Sequence, residues 1–239
     1  MSEPVVFLPG MMADARVFDQ QIRMMSTERV VTVAPITLGE RIEEIASSIL
    51  PHLPARFALV GCGMGGIVAM EILRRAQERV ARVALMDTDP LAETPQAAAE
   101  REPLIVGARA GRLDAVMAET FKPDHLAPGP GRMDVMATLL TMARDLGPDV
   151  YVSQSRALQR RRDQQSTLRK IKVPAMVLCG EHDGLTPMKR HSFMAELIPK
   201  AKLRVIEGAG HLPSLEQPHA TLDALRDWLR QPLILQNAL

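Results

Sequence analysis

The chain has 239 residues, enough for one large domain or two small ones, and its 46% hydrophobic and 24% charged residues are ordinary for a soluble globular protein. The formal net charge of +1 excludes the strongly basic surface typical of nucleic-acid-binding proteins and gives no sign of a polyanionic partner. The longest apolar run, Phe57 to Met70, has 14 residues and four glycines, so it is too short to cross a bilayer.

Short apolar segments alternate along the chain with longer segments of helical periodicity. This alternation is the pattern of an α/β fold with a mostly parallel central sheet. Several short segments are nearly continuous runs of Val, Leu and Ile, as in strands that are covered on both faces. The predicted strands, in chain order, are Val5–Leu8, Val30–Ala34, Phe57–Gly61, Val80–Met86, Ala175–Cys179 and Leu203–Glu207.

Helices are predicted between these strands. Apolar residues recur at helical spacing in Arg41–Leu50, and Gly66–Gln77 begins with so many apolar residues that its helix should be buried. Pro218 is well placed to open a helix near the C-terminus with its leucines on one face.

The alternation stops between Asp89 and Lys172, where the sequence indicates no strand. Four helices separated by Pro- and Gly-containing stretches are predicted there instead: Ala97–Ala110, Leu113–Phe121, Met133–Leu146 and Tyr151–Arg162. We therefore expect residues 1–88 and 173–239 to form a core domain and residues 89–172 to form a helical lid inserted between two strands. The run Arg160–Arg162 is expected to be a solvated helix end.

The segment LVGCGMGG, Leu59 to Gly66, fits the sharp strand-to-helix turn that presents a nucleophile in the pattern Gly-x-nucleophile-x-Gly. Small flanking residues are needed because the strand and the following helix approach closely. Gly61, Gly65 and Gly66 supply them. This frame puts the nucleophile at Gly63, which has no side chain.

Two other interpretations of this turn stay open from the residues alone. Cys62 is a possible nucleophile, although Met64 would then stand where a small residue is required. The glycines also match G-x-G-x-x-G, the fingerprint of a dinucleotide site, and Asp87 follows as a possible ribose-binding acid.

Two further turns follow predicted strands. The segment CGEHDGLTP places Asp183 just beyond one strand, and GAGHLPSLEQP places His211 just beyond the next. Together with LPGMMADAR near the N-terminus and the glycine turn, these motifs cover nearly the whole chain. In this order the chain resembles the α/β-hydrolase superfamily, and most closely its small bacterial esterase-type members.

The resemblance implies a mostly parallel sheet with helices on both faces and a role for each matching residue. Asp183 would orient His211, and His211 would act as general base and acid. The backbone N–H groups of Met11 and Met64 would form the oxyanion hole. Pro9 replaces a histidine common in the family, a modest change because the backbone amides do the work. The implied reaction is hydrolysis of a carboxylic ester, lactone or thioester through an acyl-enzyme, with no cofactor and no metal.

Gly63 is the serious departure, because the family has serine there. Loss of a triad member removes several orders of magnitude of activity, while glycine adopts the unusual backbone of the turn freely. Three accounts fit. The chain is a hydrolase in which the serine was deliberately replaced, to trap a substrate or product; or an enzyme that uses only the His211–Asp183 pair, as in lyase or cofactor-free oxygenase chemistry; or a binding protein that keeps the pocket without turnover.

The predicted partner is a small-molecule substrate, and binding to nucleic acid or to a membrane is not expected. The sequence does not indicate the oligomeric state. Four methionines of the predicted lid are candidates for lining an apolar acyl pocket: Met117, Met133, Met136 and Met142. No basic pocket is expected. Four histidines without a partner motif are expected at the surface: His52, His125, His191 and His219. Cys62 and Cys179 are expected on strands too far apart for a disulfide. With no basic segment typical of a signal peptide at the start, we expect a cytoplasmic protein.

Overall fold

The computed structural model describes residues 3–233, and its centre is a six-stranded, wholly parallel sheet. The order of the strands across the sheet is β2-β1-β3-β4-β5-β6. All six predicted strands are confirmed, two of them to the residue and four with ends shifted by one residue: β1 (Val5–Leu8), β2 (Val31–Val33), β3 (Phe57–Cys62), β4 (Val80–Met86), β5 (Ala175–Gly180) and β6 (Lys202–Ile206). The predicted α/β fold class is therefore confirmed.

Burial across the sheet follows the position of each strand. Every residue of β1, β3, β4 and β5 is buried, as expected for strands covered on both faces. The edge strand β6 is different, because Leu203 and Val205 are each 38% exposed. Cys62 on β3 and Cys179 on β5 are free thiols separated by β4, which confirms that they form no disulfide.

The order of the strands reverses between β1 and β3. The chain passes from β1 outward to β2 on one side, then returns to place β3 on the other side of β1. In open parallel sheets, ligands bind in the crevice outside the carboxyl ends of the strands at such a reversal. The turns after β1 and β3 are the two that carry Met11 and Gly63, so the topology brings them together.

Helices surround the sheet, with α2 packed on α3 and α1 packed on α11. The long buried helix predicted after the glycine turn is α3, and it begins at Met64 rather than Gly66 because the turn ends at Gly63. The α-helices within residues 3–233 are α1 (Asp19–Met25), α2 (Ile42–Ile49), α3 (Met64–Ala76), α4 (Pro95–Arg109), α5 (Leu113–Thr120), α6 (Arg132–Leu146), α7 (Pro148–Gln159), α8 (Gln165–Leu168), α9 (Met188–Leu197), α10 (Pro213–Glu216) and α11 (Pro218–Leu229). None of them is long and apolar enough to cross a membrane.

Residues 89–172, here called the helical insertion, contain α4 to α8 and no strand. Pro95 and Pro148 occupy the first positions of α4 and α7, where their fixed φ suits a helix start, so both helices begin earlier than predicted. Gly147, with φ of +85°, separates α6 from α7. That the insertion acts as a lid stays a prediction.

A buried carboxylate fastens the end of the helical insertion to the core. Glu71 on α3 is fully buried and accepts hydrogen bonds from Arg74, Arg75 and the side chain of Gln164. Burial alone would raise the pKa of Glu71, but the hydrogen bonds from Arg74 and Arg75 bring it below its usual value. The backbone N–H of Gln164 also donates to the carbonyl of Pro90, at 2.8 Å.

Candidate active site

The turn between β3 and α3 has a backbone conformation that favours glycine. Gly63 adopts φ of 51° and ψ of −119°, a region that residues with a side chain rarely occupy. Its glycine neighbours are needed for a second reason, close packing. A Cβ on Gly61 would lie 2.5 Å from the carbonyl oxygen of Gly65, and a Cβ on Gly65 would lie 2.2 Å from that of Leu8. The turn therefore keeps its shape through the flanking glycines.

Gly63 faces the imidazole of His211 across a small gap. A Cβ placed on Gly63 would lie 3.6 Å from Nε2 of His211, at an ordinary contact distance. Its other nearest neighbours would be the Cα of Gly10 at 3.8 Å and the carbonyl oxygen of Asp87 at 3.9 Å. The site therefore has room for a small side chain directed towards His211.

The carboxylate of Asp183 holds His211 from behind. Nδ1 of His211 lies 3.0 Å from both Oδ1 and Oδ2 of Asp183. Oδ1 also accepts hydrogen bonds of 2.9 Å from the backbone N–H groups of Leu185 and Thr186. An ionised carboxylate has no proton to give, so Nδ1 donates and Nε2 is left as a proton acceptor facing Gly63.

Charge and hydrogen bonding keep the carboxylate of Asp183 ionised although its side chain is buried. Its side chain is fully buried and that of His211 is 7% exposed. Burial alone would raise the pKa of Asp183, but the charge and hydrogen bond of His211 and the two backbone N–H groups lower it below its usual value.

The loop that carries His211 is fixed by Glu216. Oε2 of Glu216 accepts hydrogen bonds of 2.9 Å from the backbone N–H groups of Gly210 and Leu212, on either side of the histidine. Oε1 accepts a third, of 2.7 Å, from Ala127 in the helical insertion. One carboxylate thus joins the histidine loop to the insertion.

The two residues whose backbone amides are predicted as an oxyanion hole line the same cavity. Met11 follows β1, and Met64 is the first residue of α3, where a helix leaves its N–H groups without intrahelical acceptors. Neither amide has a hydrogen-bond acceptor within residues 3–233. Both residues line the cavity that contains Gly63 and His211. Their catalytic role stays a prediction.

A buried glutamine that the sequence analysis missed supports the turn after β1. Gln154 on α7 is fully buried, accepts a 2.9 Å hydrogen bond from the N–H of Met12 and donates one of 3.1 Å to the carbonyl of Ile36. A glutamine on the apolar face of α7, between Tyr151 and Leu158, was the available signal.

The cavity over Gly63 and His211 has a volume of about 470 Å³, within the usual range for small-molecule sites. An apolar recess of about 280 Å³ lies between α5 and α6. Phe121 and Leu139 line both spaces. Three of the four methionines proposed for an acyl pocket line the recess: Met117, Met133 and Met136. Met142 instead is fully buried in the core.

The expectation that His191 lies at the surface is wrong. His191 on α9 is fully buried, with neither ring nitrogen hydrogen-bonded within residues 3–233, and burial lowers its pKa.

Asp87, also fully buried, follows β4, and its Oδ1 accepts a 2.9 Å hydrogen bond from the N–H of Gly180. Burial and the nearby charge of Asp183 raise the pKa of Asp87 well above its usual value.

Ligand atoms of Asp87, Asp183 and His191 all lie within 4.8 Å of one another. Both oxygens of Asp183 are already bound to His211, so Asp87 and His191 alone would be free to hold an ion. This cluster is better described as a carboxyl group and an imidazole, both buried, packed behind the carboxylate of Asp183; burial disfavours the charged form of each.

Burial also bears on the alternative nucleophile. Cys62 is fully buried, and burial together with the negative charges of Asp87 and Asp183 raises the pKa of its thiol well above the usual value. A nucleophilic cysteine needs the opposite, an environment that favours the thiolate. The position of Cys62 therefore argues against it as the nucleophile.

The predicted solvation of Arg160–Arg162 is wrong for the middle residue. The side chains of Arg160 and Arg162 are 45% and 61% exposed, whereas that of Arg161 is 14% exposed. Arg161 lines the cavity together with Arg101 and Glu93. The cavity lining thus holds two arginines beside the carboxylates of Asp89, Glu93, Glu100 and Glu119.

Sequence comparison finds relatives over most of the chain. The sequence model of a family described as "Alpha/beta hydrolase family" matches residues 5–224. A pimeloyl-[acyl-carrier protein] methyl ester esterase of Aromatoleum aromaticum is 26% identical over 203 residues, which cover 80% of this chain and 81% of the relative. The enzyme of the same name from Chromobacterium violaceum is 26% identical and covers 78% and 75% of the two chains.

Structural comparison gives the same picture. A thermophilic esterase from Thermogutta terrifontis, solved with malate bound, superposes with a TM-score of 0.87 at 25% identity, covering 96% of this chain and 90% of that one. An enol-lactonase from Burkholderia xenovorans superposes with a TM-score of 0.85 at 22% identity, covering 97% and 92%, a likeness that shows the fold.

Proposed function

The chain belongs to the alpha/beta hydrolase family, and on that premise we propose that its cavity is the active site of a carboxylic ester hydrolase that is disarmed at Gly63. The substrate class is an ester, lactone or thioester with an apolar acyl group. The relatives named above, which are methyl ester esterases and an esterase, support ester hydrolysis as the chemistry.

One observation carries the proposal. The Cβ position of Gly63 lies 3.6 Å from Nε2 of His211, in a backbone conformation with φ of 51°. A hydroxyl oxygen sits about 1.4 Å from its Cβ, so a serine hydroxyl turned towards His211 reaches the roughly 2.6–3.2 Å that a nucleophile and its base require. The strained turn is the one on which this fold presents its nucleophile.

The mechanism follows from these positions for the variant Gly63→Ser. The introduced hydroxyl attacks the carbonyl carbon while Nε2 of His211 takes its proton. The charge that develops on the carbonyl oxygen is stabilised by the N–H groups of Met11 and Met64. His211 returns the proton to the leaving alcohol or thiol, and Asp183 stabilises the imidazolium throughout. Water activated by His211 then hydrolyses the acyl-enzyme.

The apolar recess supports the apolar acyl group. It adjoins the cavity at Phe121 and Leu139, and its other lining residues include methionines, which adapt to ligands of varied shape.

A second candidate is an enzyme that uses only His211 and Asp183. It is favoured by the intact geometry of the pair, with Nε2 left as an acceptor facing the space above Gly63. There His211 would activate a water or abstract a proton directly.

Hydrolysis of p-nitrophenyl butyrate and octanoate by the parent chain, Gly63→Ser, and Gly63→Ser with His211→Ala separates the candidates. We expect negligible turnover by the parent, an increase in kcat on the order of 10³-fold or more in Gly63→Ser, and loss of that gain in the double variant. Labelling of Gly63→Ser by a fluorophosphonate identifies the new nucleophile. Parent activity that disappears in His211→Ala alone would favour the pair. If Gly63→Ser folds but gains no activity and no label, the proposal is wrong.

A further inference from the structure

The charged groups at one end of the cavity are not used by the mechanism above. Glu93, Arg101 and Arg161, here called the arginine end, line the same cavity as Gly63 and His211. Glu93 precedes α4, Arg101 lies on α4, and Arg161 follows α7. Their side chains are 5%, 21% and 14% exposed, respectively, so little water reaches them.

The guanidinium groups of the arginine end have donors to spare. Nε of Arg101 donates to Oε1 of Glu93 at 2.9 Å. Nε of Arg161 lies 3.2 Å from Oε2 of Glu93, yet without the alignment of a hydrogen bond. Within residues 3–233, the side chain of Arg161 therefore makes an ion pair but no hydrogen bond. A guanidinium carries five N–H donors, and burial makes unpaired ones costly.

The charges around Arg161 do not balance. The charged groups that act on it most strongly are the carboxylates of Glu93 and Asp89 and the guanidiniums of Arg101 and Arg190. Glu119 and Lys122 also line the cavity, but both are exposed and opposite in charge. With Arg161 itself these are three positive and two negative charges, an excess of one positive charge. Burial lowers the pKa of Arg161, but a guanidinium stays protonated in proteins. Glu100 also lines the cavity, but it is exposed and bound to Gln96, so water screens its charge.

We propose that the arginine end binds a carboxylate group of the substrate, so that the substrates of this site are esters or lactones that carry a free acid. An arginine fork matches a carboxylate with two parallel hydrogen bonds and supplies the missing negative charge. The inference rests on the proposed function for the reacting ester, but the carboxylate site itself is testable without turnover.

The test measures binding by calorimetry to the parent chain, in which Gly63 prevents acyl transfer. The probes are the monomethyl esters of succinate, glutarate and adipate, each paired with its neutral dimethyl ester. We expect at least one monoester to bind roughly 10- to 100-fold more tightly than its diester, the range for charge-assisted hydrogen bonds, and to weaken with added salt. Equal affinity of every monoester and its diester would overturn the proposal whatever the variants do.

Two variants assign the preference to Arg161. Arg161→Met keeps an unbranched side chain that ends near the position of Nε and removes the guanidinium with its charge, and we expect it to remove the preference for the monoester. Arg162→Met is the matched control, because Arg162 is 61% exposed, pairs with Glu43 and does not line the cavity. An equal loss of preference in both variants would contradict the inference.

Turnover by Gly63→Ser separates this inference from the proposed function. If the variant hydrolyses neutral esters but Arg161→Met leaves kcat/KM for the monoester unchanged, the carboxylate site is wrong and the function stands. If the variant hydrolyses no ester while the parent still prefers the monoester in binding, the function is wrong and the carboxylate site stands.

Discussion

A Cβ at Gly63 should destabilise the fold, whether or not it carries a hydroxyl. The perturbation is Gly63→Ala, with Gly63→Ser beside it. Gly63 has φ of 51°, a conformation that alanine and serine adopt only under strain. Such strain costs on the order of 1–3 kcal/mol. No clash adds to it, because the nearest atom to the new Cβ is Nε2 of His211 at 3.6 Å.

The expected shift of the melting temperature follows from this free energy. A chain of this length loses roughly 2–4 °C for each kcal/mol, so Gly63→Ala should melt about 2–12 °C below the parent. The hydroxyl of Gly63→Ser gains a hydrogen bond to His211, which is worth about 1 kcal/mol. Gly63→Ser should therefore lose less than Gly63→Ala.

The assay is thermal unfolding followed by circular dichroism, with two glycine controls. Gly131 has φ of −79° and open space where a Cβ would lie, so Gly131→Ala should leave the melting temperature unchanged or raise it slightly. Gly111 has φ of +77° and equally open space, so Gly111→Ala reports the effect of a positive φ alone. A Gly63→Ala variant that melts at or above the parent would refute the reasoning about backbone strain.

Three further variants test buried polar groups near the site. The raised pKa of Asp87 means that the folded chain binds a proton that the unfolded chain releases above about pH 4, so the contribution of Asp87 to stability falls as pH rises. The melting temperature of Asp87→Asn should therefore rise relative to that of the parent from pH 5 to pH 8. A difference between the two melting temperatures that does not change with pH would contradict this. Gln154→Leu leaves the N–H of Met12 and the carbonyl of Ile36 unpaired, so urea unfolding should show a loss of roughly 2–4 kcal/mol. The exposed Gln96→Leu is the control and should show no such loss. Glu216→Gln cannot accept all three backbone hydrogen bonds, and faster hydrogen exchange at those amides is expected; unchanged exchange would show that Glu216 does not hold the loop.

The sheet could be predicted from the sequence because its strands are short apolar runs between turn residues. Val80–Met86 was predicted to the residue, and so was Val5–Leu8. The glycine turn could also be predicted from the sequence, because close packing of the strand against the helix requires small residues at fixed offsets. The approach of Gly63 to His211 was implied by the resemblance to the α/β-hydrolase superfamily, which assigns both positions to one site.

The buried charges were not predictable in the same way. Arg161 stands in a run of three arginines, and no local pattern distinguishes the one that turns inward from its neighbours. Its burial depends on how α4 and α7 pack, which is a tertiary contact between distant segments. His191 was missed for a similar reason, because helical periodicity in α9 is weak and its position over β5 decides its burial.

The flanking glycines have a consequence for how such a protein changes over generations. Because Gly61 and Gly65 shape the turn without help from the residue at position 63, a serine hydroxyl can vanish from it, or return, without rebuilding the scaffold. Glycine codons of the GGC type and serine codons of the AGC type differ by one base. The presence of a hydroxyl opposite His211 therefore depends on the smallest step that mutation can take.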